Sequence, residues 1–382
     1  MYYGGMKLEV VLVSGKNPFQ ATPGGTHVYI QGLLQFLGDE DHDISLLSSE
    51  IDGFEKRELK FQHVPIRMKR ETSIDFLINL FLKIPGLGIP KSSIIHVHRP
   101  DFVLPFLIYN RNNPKVCTMH GIPNIGIRTR KNVLIWSIYN LLEIITIKRC
   151  DILIMVDQRT RDYYIKKYPH ITDKTTLIPV GIDTNVFKPM DMQKMRKRYG
   201  LDQNEAIILF IGRFSKEKGL YLLLDSFREL HPDLPTARLV LLGKGSEGKK
   251  IIKYIENERI EKVTIFDPVE HKRVPEIINC ADTLVLCSSF EGMPTVVLES
   301  LACGVPVVST DVGDVKKVVI DDKSGFLVKT ADEQSIKNSI LRVIKNGRSM
   351  YSDYCRDVAM RYSWETITKE IKMVYSDLSS SK

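Results

Sequence analysis

Residues 290–308 read FEGMPTVVLESLACGVPVV and place a loop, a helix and a strand in direct succession. The Gly-Met-Pro triplet predicts a turn, Thr295 is a suitable N-cap, and Gly304 ends the helix before a strand that begins at Val305. We expect the amides of residues 295–298 to be unpaired at the helix start, where the helix dipole favours an anion. The stretch therefore predicts a phosphate site at the start of a helix.

Two glutamates bracket this predicted phosphate site. Glu291 stands just before the helix start, and Glu299 follows one turn into the helix. A carboxylate repels a phosphate but accepts hydrogen bonds from hydroxyl groups. The pattern therefore indicates a ligand with a phosphate in the middle and a polyol at each end, which is how a nucleotide sugar is built. The alternative is a pair of solvated glutamates on one helix.

A basic loop in residues 213–219 predicts a second group of phosphate contacts. The loop follows an apolar run that ends in Gly212, so Arg213 and Lys218 leave the carboxyl end of a predicted strand. Ligands of parallel sheets bind at that end. Arg offers a planar fork to phosphate oxygens, and Lys offers a point charge. The alternative is a solvated basic loop.

Short apolar runs recur along the whole chain, each followed by a turn and a helical stretch. They are residues 9–14, 94–98, 116–120, 152–156 and 176–179, then 206–211, 237–242, 263–266, 283–287 and 305–309. Runs rich in Val, Ile and Leu that alternate with helices are typical of parallel sheets covered on both faces. The two series predict an α/β fold with two doubly wound, Rossmann-like domains and an active site in the cleft between them.

These motifs resemble the donor site of family 4 of the retaining glycosyltransferases, which have the GT-B fold. The resemblance is carried by Glu-x7-Glu with the Gly-Val-Pro-Val-Val that follows it, and by Gly-Arg-x4-Lys-Gly at residues 212–219. It implies that Glu291 contacts the transferred sugar and Glu299 the ribose. It also implies that Arg213 and Lys218 bind the donor pyrophosphate and stabilise the departing nucleotide diphosphate. The neighbouring donor contacts that it implies are Gly292, Met293, Pro294 and Thr295.

Two first-half motifs also match the family. Gly24 and Gly25, in TPGGTHV, resemble the family's Gly-Gly loop over the donor phosphates and the acceptor, with a structural turn as the alternative. His120 stands at a predicted strand end before a glycine, where the family has a His near the 6-hydroxyl of the transferred sugar. The alternative for His120 is a structural hydrogen-bonding role.

Two second-half segments resemble the nucleotide contacts of the family. Gly243 begins a Gly-x-Gly turn like the one beside the nucleotide, and Val269 ends a segment similar to the one whose backbone contacts the base. Pro268 departs from the pattern, because the family often has Gly there and a proline has no amide to donate.

Domain boundaries follow from breaks in the pattern. Residues 179–189 read PVGIDTNVFKP, where one Gly and two Pro interrupt a strand. We therefore predict an acceptor-binding domain over residues 1–187 and a donor-binding domain over 188–360. Residues 361–382 form a helix that the resemblance places back on the first domain.

Composition limits the partners and the compartment. The net charge is +8, and most of the surplus lies in residues 1–188, which suits an anionic partner such as a lipid phosphate. Six isolated Cys fit a reducing compartment and exclude a zinc ribbon or a disulfide framework. No signal-peptide pattern or apolar run of 18 residues occurs, so we expect a cytoplasmic protein without a membrane span.

No metal and no cofactor are expected. His96 and His98 alternate along a predicted strand with Asp101 nearby, which superficially suggests a metal pair. A metal site needs a further convergent ligand, so we interpret the two histidines as structural. The nucleotide sugar is then the substrate, and no nucleic acid partner is predicted.

Residues 67–91 contain a candidate membrane contact. Within residues 72–84, Asp75, Asn79 and Lys83 form one narrow polar stripe on an otherwise apolar helix with basic neighbours. Such a helix can lie in a membrane interface. The alternative is a core-facing helix that begins at an N-cap, Thr72. Residues 133–147 have no clean polar face, which predicts a buried helix.

The resemblance, which extends over essentially the whole chain, implies a retaining glycosyltransferase. It would move a sugar from a UDP- or GDP-linked donor to an acceptor hydroxyl on a lipid-linked or cell-surface glycan precursor, at the inner face of the membrane. One alternative is a nucleotide-sugar epimerase on the same fold, which needs no acceptor. The other is a non-catalytic protein that binds a nucleotide or a lipid. The sequence does not determine the oligomeric state.

Overall fold

The computed structural model describes residues 8–19, 25–38, 42–50, 61–70, 72–122 and 133–380, with side chains from residue 136 onward in the last range. The chain divides into two compact units. The first unit comprises residues 1–181 and 364–382, and the second comprises residues 182–363. The structure therefore divides the chain after residues 181 and 363. The sequence pattern predicted boundaries after residues 187 and 360.

The first unit is built on a seven-stranded parallel sheet. Its strands are β1 (Leu8–Val13), β2 (His42–Ser49), β3 (Gln62–Ile66), β4 (Ile94–Val97), β5 (Lys115–Met119), β6 (Ile152–Met155) and β7 (Thr175–Leu177). The spatial order is β3-β2-β1-β4-β5-β6-β7, and each paired strand is parallel to its neighbour. The order therefore reverses between β1 and β4.

Helices cover both faces of this sheet. They are α1 (Gly25–Leu37), α2 (Ser73–Lys83), α3 (Leu104–Tyr109), α4 (Val133–Arg149) and α5 (Gln158–Lys167). Because crossovers between parallel strands are right-handed, the reversal puts α1 on one face and α2 to α5 on the other. Phe76, Phe106, Ile147 and Tyr164, from α2 to α5, accordingly share one buried core with the strands.

The second unit repeats the design with a six-stranded parallel sheet. Its strands are β8 (Ala206–Ile211), β9 (Ala237–Leu242), β10 (Val263–Phe266), β11 (Thr283–Leu286), β12 (Val307–Thr310) and β13 (Gly325–Val328). Its helices are α6 (Met192–Arg198), α7 (Leu220–Leu230), α8 (Gly248–Asn257), α9 (Val274–Ile278), α10 (Thr295–Ala302), α11 (Glu333–Asn346) and α12 (Ser349–Arg361). The order β10-β9-β8-β11-β12-β13 reverses between β8 and β11. The predicted pair of doubly wound α/β domains is confirmed.

Three strands were not predicted: β2, β3 and β13. The sequence of β2, HDISLLSS, mixes polar and apolar residues and lacks a continuous apolar run. β3 contains Pro65, which a strand tolerates at the edge of a sheet, and β3 is an edge strand. β13 has only four residues and begins with a glycine. Each depends on pairing with a neighbour more than on its own pattern.

The last helix, α13 (Trp364–Ser380), belongs to the first unit, as the family resemblance implies. The indole ring of Trp364 is buried and stacks edge-on against Tyr29 of α1, with 5.2 Å between ring centroids. A Cβ atom on Gly32 or on Gly181 would overlap that ring. Two glycines therefore make room for the side chain that anchors the C-terminal helix.

The outer surfaces of α2 and α4 are apolar. On α2, Phe76 and Leu80 face the core, whereas Ile74, Ile78 and Leu82 are 64%, 54% and 76% exposed. The α2 cap is the predicted one, because the amide of Asp75 donates to the Thr72 hydroxyl at 3.1 Å. Among the described residues, no helix is long and apolar enough to cross a bilayer.

The prediction that residues 133–147 form a buried helix is wrong. Ile138 and Leu141 of α4 are 51% and 58% exposed, while Glu143 is fully buried. The Glu143 carboxylate accepts hydrogen bonds from the Tyr164 hydroxyl at 3.0 Å and from Lys167 Nζ at 2.7 Å. A buried polar network therefore holds Glu143 inward beside apolar residues such as Ile147, and it leaves Ile138 and Leu141 exposed.

The Trp364 anchor predicts the result of adding one methyl group to α1. We expect Gly32→Ala to lower the free energy of unfolding by about 1–3 kcal/mol, the usual range for overpacking. Helix propensity alone predicts the opposite, a gain of ~1 kcal/mol. Urea denaturation measures the difference.

Gly25→Ala in the same helix is the matched control, because a Cβ atom there meets nothing within 4 Å. We expect no loss of stability from that change. A Gly32→Ala variant as stable as the control would contradict the packing of Trp364 against α1.

Candidate active site

The second unit brings the predicted donor residues together where its strand order reverses. Ligands of open parallel sheets bind at such a point, beyond the carboxyl ends of the strands. The loops that follow β8 and β11 meet there, and the amide of Ser289 donates to the Glu217 carbonyl at 2.9 Å. Lys218 Nζ forms an ion pair with Glu291 Oε1, to which the Ser288 hydroxyl also donates at 2.9 Å. Two residues singled out from separate motifs are therefore direct partners.

The Glu291 loop is held from a third strand end. The amide of Asp314, in the loop after β12, donates to the Gly292 carbonyl at 2.8 Å. Gly313 has a φ of 53°, and a Cβ atom there would overlap the Gly292 carbonyl oxygen. The sequence interpretation missed this support. A glycine shortly after a predicted strand, at the binding edge of the sheet, was the available signal.

The start of α10 differs from the prediction. The N-cap is Pro294, with a φ of −70° and extended backbone, and Thr295 is the first helical residue. A proline fits this position because its φ is already set and it has no amide to satisfy. The amide of Val297 donates to the Pro294 carbonyl at 3.1 Å, so it is not available to a ligand. Fewer amides are therefore available to an anion at this helix start than the four that the sequence predicted.

Glu299 is buried in α10 and has a histidine partner that was not predicted. Its Oε1 lies 3.1 Å from Nε2 of His271, and the imidazole lies against the Phe187 ring, with 5.2 Å between centroids. The hydrogen bond with Glu299 raises the pKa of His271 above its ordinary value. His271 lies on a short helical turn before α9, outside every motif, so the sequence held no signal for it.

The remaining donor positions line the same edge of the sheet. Arg213 is exposed, and its loop is braced by the Phe214 amide, which donates to the Lys244 carbonyl at 3.0 Å. The amide of Gly243 donates to the Phe266 carbonyl at 3.2 Å, so the ends of β9 and β10 are joined. Val269 follows β10 and is half-buried. Met293 and Thr295 are also half-buried, and Pro294 is buried.

The first unit has its own cavity where β1 and β4 reverse the strand order. It has a volume of about 420 Å³, and its lining includes Ser14, Lys16, His98 and His120. Gly25 is exposed at the start of α1, and Gly24 lies outside the described residues. The predicted first-half residue His120 therefore lines a real cavity at the carboxyl edge of the sheet.

Three histidines lie side by side at this cavity, and two of them, His98 and His120, line it. His96 uses both ring nitrogens on protein partners, at 2.6 Å from the Tyr375 hydroxyl and 2.7 Å from the Thr118 hydroxyl. His98 Nδ1 lies 3.0 Å from His120 Nε2. Burial lowers the pKa of His96 and of His120 to about 3, so both rings are neutral near neutral pH. Both ring nitrogens of His96 and the Nδ1 of His98 are therefore used in contacts with other side chains.

Comparison with known proteins identifies the class. The model for glycosyl transferases group 1 matches residues 191–358, and the model for glycosyltransferase family 4 matches residues 23–186. Together they extend over most of the chain. The two doubly wound sheets and these matches define a glycosyltransferase with the GT-B fold. The chain belongs to glycosyltransferase family 4.

Individual relatives agree at the level of the family. The chain is 28% identical to the N-acetyl-α-D-glucosaminyl L-malate synthase of Bacillus anthracis over 52% of each chain, so this match spans about half of the relative's length. It is 22% identical to the UDP-Gal:α-D-GlcNAc-diphosphoundecaprenol α-1,3-galactosyltransferase of Escherichia coli over 91% of this chain and 92% of that one. The structure of Anabaena HepE, in complex with UDP and glucose, superimposes with a TM-score of 0.75 at 18% identity. That superposition covers 97% of this chain and all of HepE, and it shows the shared fold.

The support of the Glu291 loop leads to a prediction at Gly313. We expect Gly313→Ala to weaken the binding of UDP or GDP at least about tenfold, or ~1.4 kcal/mol. The added methyl group displaces the Gly292 carbonyl and, with it, Glu291 and the start of α10. Titration calorimetry with each nucleotide measures the change.

Gly200→Ala is the matched control for the backbone. Gly200 has a φ of 66°, and a Cβ atom there meets nothing within 4 Å. Both variants carry the cost of a left-handed alanine, about 1–2 kcal/mol of stability, but only Gly313 touches the site. Equal nucleotide affinity in the two variants would contradict the role assigned to Gly313.

Proposed function

We propose that the protein transfers a sugar from a nucleotide diphosphate sugar to an acceptor hydroxyl with retention of configuration. The observation that carries this proposal is the contact of Lys218 with Glu291 between the ends of β8 and β11. In this proposal the lysine binds the donor pyrophosphate and the neighbouring carboxylate binds the sugar, in a chain that belongs to a family of glycosyltransferases. Glu299 follows in the helix after the Glu291 loop.

Charge stabilisation drives the proposed reaction. Arg213, Lys218 and the first amides of α10 bind the pyrophosphate and stabilise the negative charge that grows on the departing nucleotide. Glu291 orients the sugar, and Glu299 accepts from the ribose hydroxyls. The family resemblance assigns His120 a contact with the sugar. No metal ion and no cofactor take part in this scheme, because the protein's own cations hold the phosphates.

We propose attack from the same face that the nucleotide leaves. The bond from the anomeric carbon to the phosphate oxygen breaks, the acceptor oxygen bonds to that carbon, and the acceptor proton passes to the departing phosphate. Both carboxylates of this site are assigned to binding: Glu291, paired with Lys218, to the sugar, and Glu299, beside His271, to the ribose. Detection of a covalent glycosyl-enzyme would contradict this course.

Relatives support a UDP donor ahead of a GDP donor. The Escherichia coli relative is named for UDP-Gal, and Anabaena HepE was crystallised with UDP and glucose. In this chain a ribose hydroxyl would reach Glu299 by sharing or replacing its contact with His271.

We further propose a lipid-linked acceptor and a peripheral contact with the cytoplasmic face of a membrane. The Escherichia coli relative is named for an acceptor on diphosphoundecaprenol. In this chain, Ile74, Ile78 and Leu82 form an exposed apolar stripe along α2 within residues 67–91. Exposed basic residues flank the stripe in the sequence or lie within it: Arg67, Lys69, Arg70, Lys83 and Lys91. Apolar burial with basic neighbours is the composition of an interfacial helix on anionic lipid.

Donor binding and turnover test the proposed activity. We expect one nucleotide series to raise the melting temperature without added metal and in the presence of EDTA, by the equivalent of about 2.7 kcal/mol at a hundred times its dissociation constant. Arg213→Ala and Glu299→Ala should abolish the shift. Glu291→Gln should retain nucleotide binding but lose most of the turnover with a lipid diphosphate sugar as acceptor. NMR of the product of the wild-type protein should show the anomeric configuration of the donor.

Glu258→Gln, on an exposed glutamate paired with Arg228, is the control for these changes and should leave both measurements as in the wild type. Conversion of the donor without any acceptor would favour the epimerase. Nucleotide binding that survives Glu291→Gln, with no turnover in either form, would favour the binding protein.

Vesicle binding tests the membrane contact. We expect the protein to sediment with vesicles that contain phosphatidylglycerol, less with pure phosphatidylcholine, and much less at high salt. Ile78→Asp with Leu82→Asp should reduce sedimentation at least about tenfold, since a charge replaces apolar surface that the lipid would bury. Ile252→Asp, at a 46% exposed isoleucine in the second unit, is the matched control. Equal sedimentation of both variants would contradict the assignment to α2.

A further inference from the structure

His98 lies between a structural histidine and the one predicted to contact the sugar. Its ring stacks on His96 with 4.6 Å between centroids, and on His120 with 5.3 Å. Its Nδ1 lies 3.0 Å from His120 Nε2, and the His98 side chain is buried. His120, half-buried, lines the first-unit cavity. His98 is thus the hydrogen-bond partner of His120, a ring that lines the cavity.

One proton lies between His98 Nδ1 and His120 Nε2. The nitrogen that carries it decides whether His120 Nδ1 is a hydrogen-bond donor or an acceptor. In a neutral imidazole one nitrogen carries the proton and the other accepts. If His98 Nδ1 donates, then His120 Nε2 accepts and the His120 proton is on Nδ1. If His120 Nε2 donates, its Nδ1 is an acceptor and the His98 proton is on Nε2. The two arrangements leave opposite groups at Nδ1, the His120 nitrogen that is not bonded to His98.

The surroundings of His98 favour the first arrangement. His98 Nε2 is buried and has no hydrogen-bond partner among the residues that the structure describes. Buried donors without an acceptor are rarer than buried acceptors without a donor, because leaving an N–H unpaired is the more costly case. His98 Nε2 is therefore the unprotonated nitrogen, and its Nδ1 carries the proton toward His120.

We propose that His98 is a positioning residue that holds His120 with its proton on Nδ1, so that His120 donates a hydrogen bond to a ligand oxygen in the first-unit cavity. The ligand atom is then an acceptor, such as a hydroxyl or carbonyl oxygen, and His120 takes no proton from it. The identity of the ligand as the donor sugar rests on the proposed function. The tautomer does not.

The C-terminal helix supports this arrangement from behind. Tyr375 of α13 reaches Nδ1 of His96, and the Thr118 hydroxyl reaches its Nε2, so the His96 ring is fixed at both nitrogens. The fixed ring is the surface against which His98 stacks. Depressed pKa values keep all three rings neutral, as the shared-proton argument requires. A helix from the end of the chain thereby helps to orient a residue of the cavity.

Nitrogen-15 NMR of the full-length protein tests the proposal directly. Long-range proton–nitrogen spectra distinguish protonated from unprotonated ring nitrogens, and the His120 signals are assigned by their loss in His120→Asn. We expect the wild-type protein to show His120 protonated on Nδ1 alone. A wild-type spectrum with the proton on His120 Nε2 would overturn the proposal, whether or not any sugar transfer is found.

His98→Asn and His98→Leu form a matched pair of nearly equal shape. The Asn amide can still donate to His120 Nε2, whereas Leu cannot. We expect His98→Asn to keep the Nδ1 tautomer and kcat/KM within about threefold of the wild type. His98→Leu should lose the single tautomer and lower kcat/KM about tenfold, the effect of one lost hydrogen bond.

The two readouts separate the tautomer from the activity. Equal loss of kcat/KM in both variants, with the His120 tautomer unchanged, would contradict the positioning role and indicate a packing role for His98. If no activity is found for the wild type, the spectra of the pair still decide the tautomer, and only the ligand's identity fails. Thermal denaturation of each variant confirms that it is folded before either measurement.

Discussion

The right-handed crossover between parallel strands is the constraint on which the rest of this structure depends. It requires that a sheet with helices on both faces be wound outward from its middle, in two directions. Both sheets follow this rule, and each reverses its strand order once. At the reversal, the loops after two adjacent strands diverge to opposite faces and leave a crevice. In the second unit Lys218 and Glu291 meet there, and in the first unit the His98–His120 contact lies beside it.

Close backbone approaches hold these crevices in shape. The Gly292 carbonyl lies where a side chain on residue 313 would be, so the Glu291 loop can be reached by the Asp314 amide. In the first unit, Trp364 occupies the space that Gly32 and Gly181 leave, and this contact ties the last helix of the chain to the first unit. The site residues are consequently supported by positions that touch no ligand.

Whether a side chain is buried depends on its hydrogen-bond partners as much as on its polarity. Glu143 is fully buried because two tyrosine hydroxyls and Lys167 satisfy its carboxylate, while Ile138 and Leu141 of the same helix are exposed. α2 also leaves Ile74, Ile78 and Leu82 exposed, although it packs Phe76 and Leu80 inward. α2 and α4, on the same face of one sheet, thus both expose apolar side chains. Exposed basic residues flank α2 in the sequence.

The sequence by itself determined the two doubly wound sheets, most of their strands, and the loops that carry Arg213, Lys218, Glu291 and Glu299, because apolar runs, glycines and charges are local signals. It did not determine β3, whose Pro65 is acceptable only at an edge, or the cap of α10, which moved to Pro294. The partners His271 and Gly313, and the contact of His98 with His120, arise between segments far apart in the chain. Only the tertiary structure decided them, because a hydrogen bond or a close approach depends on distances that no local pattern encodes.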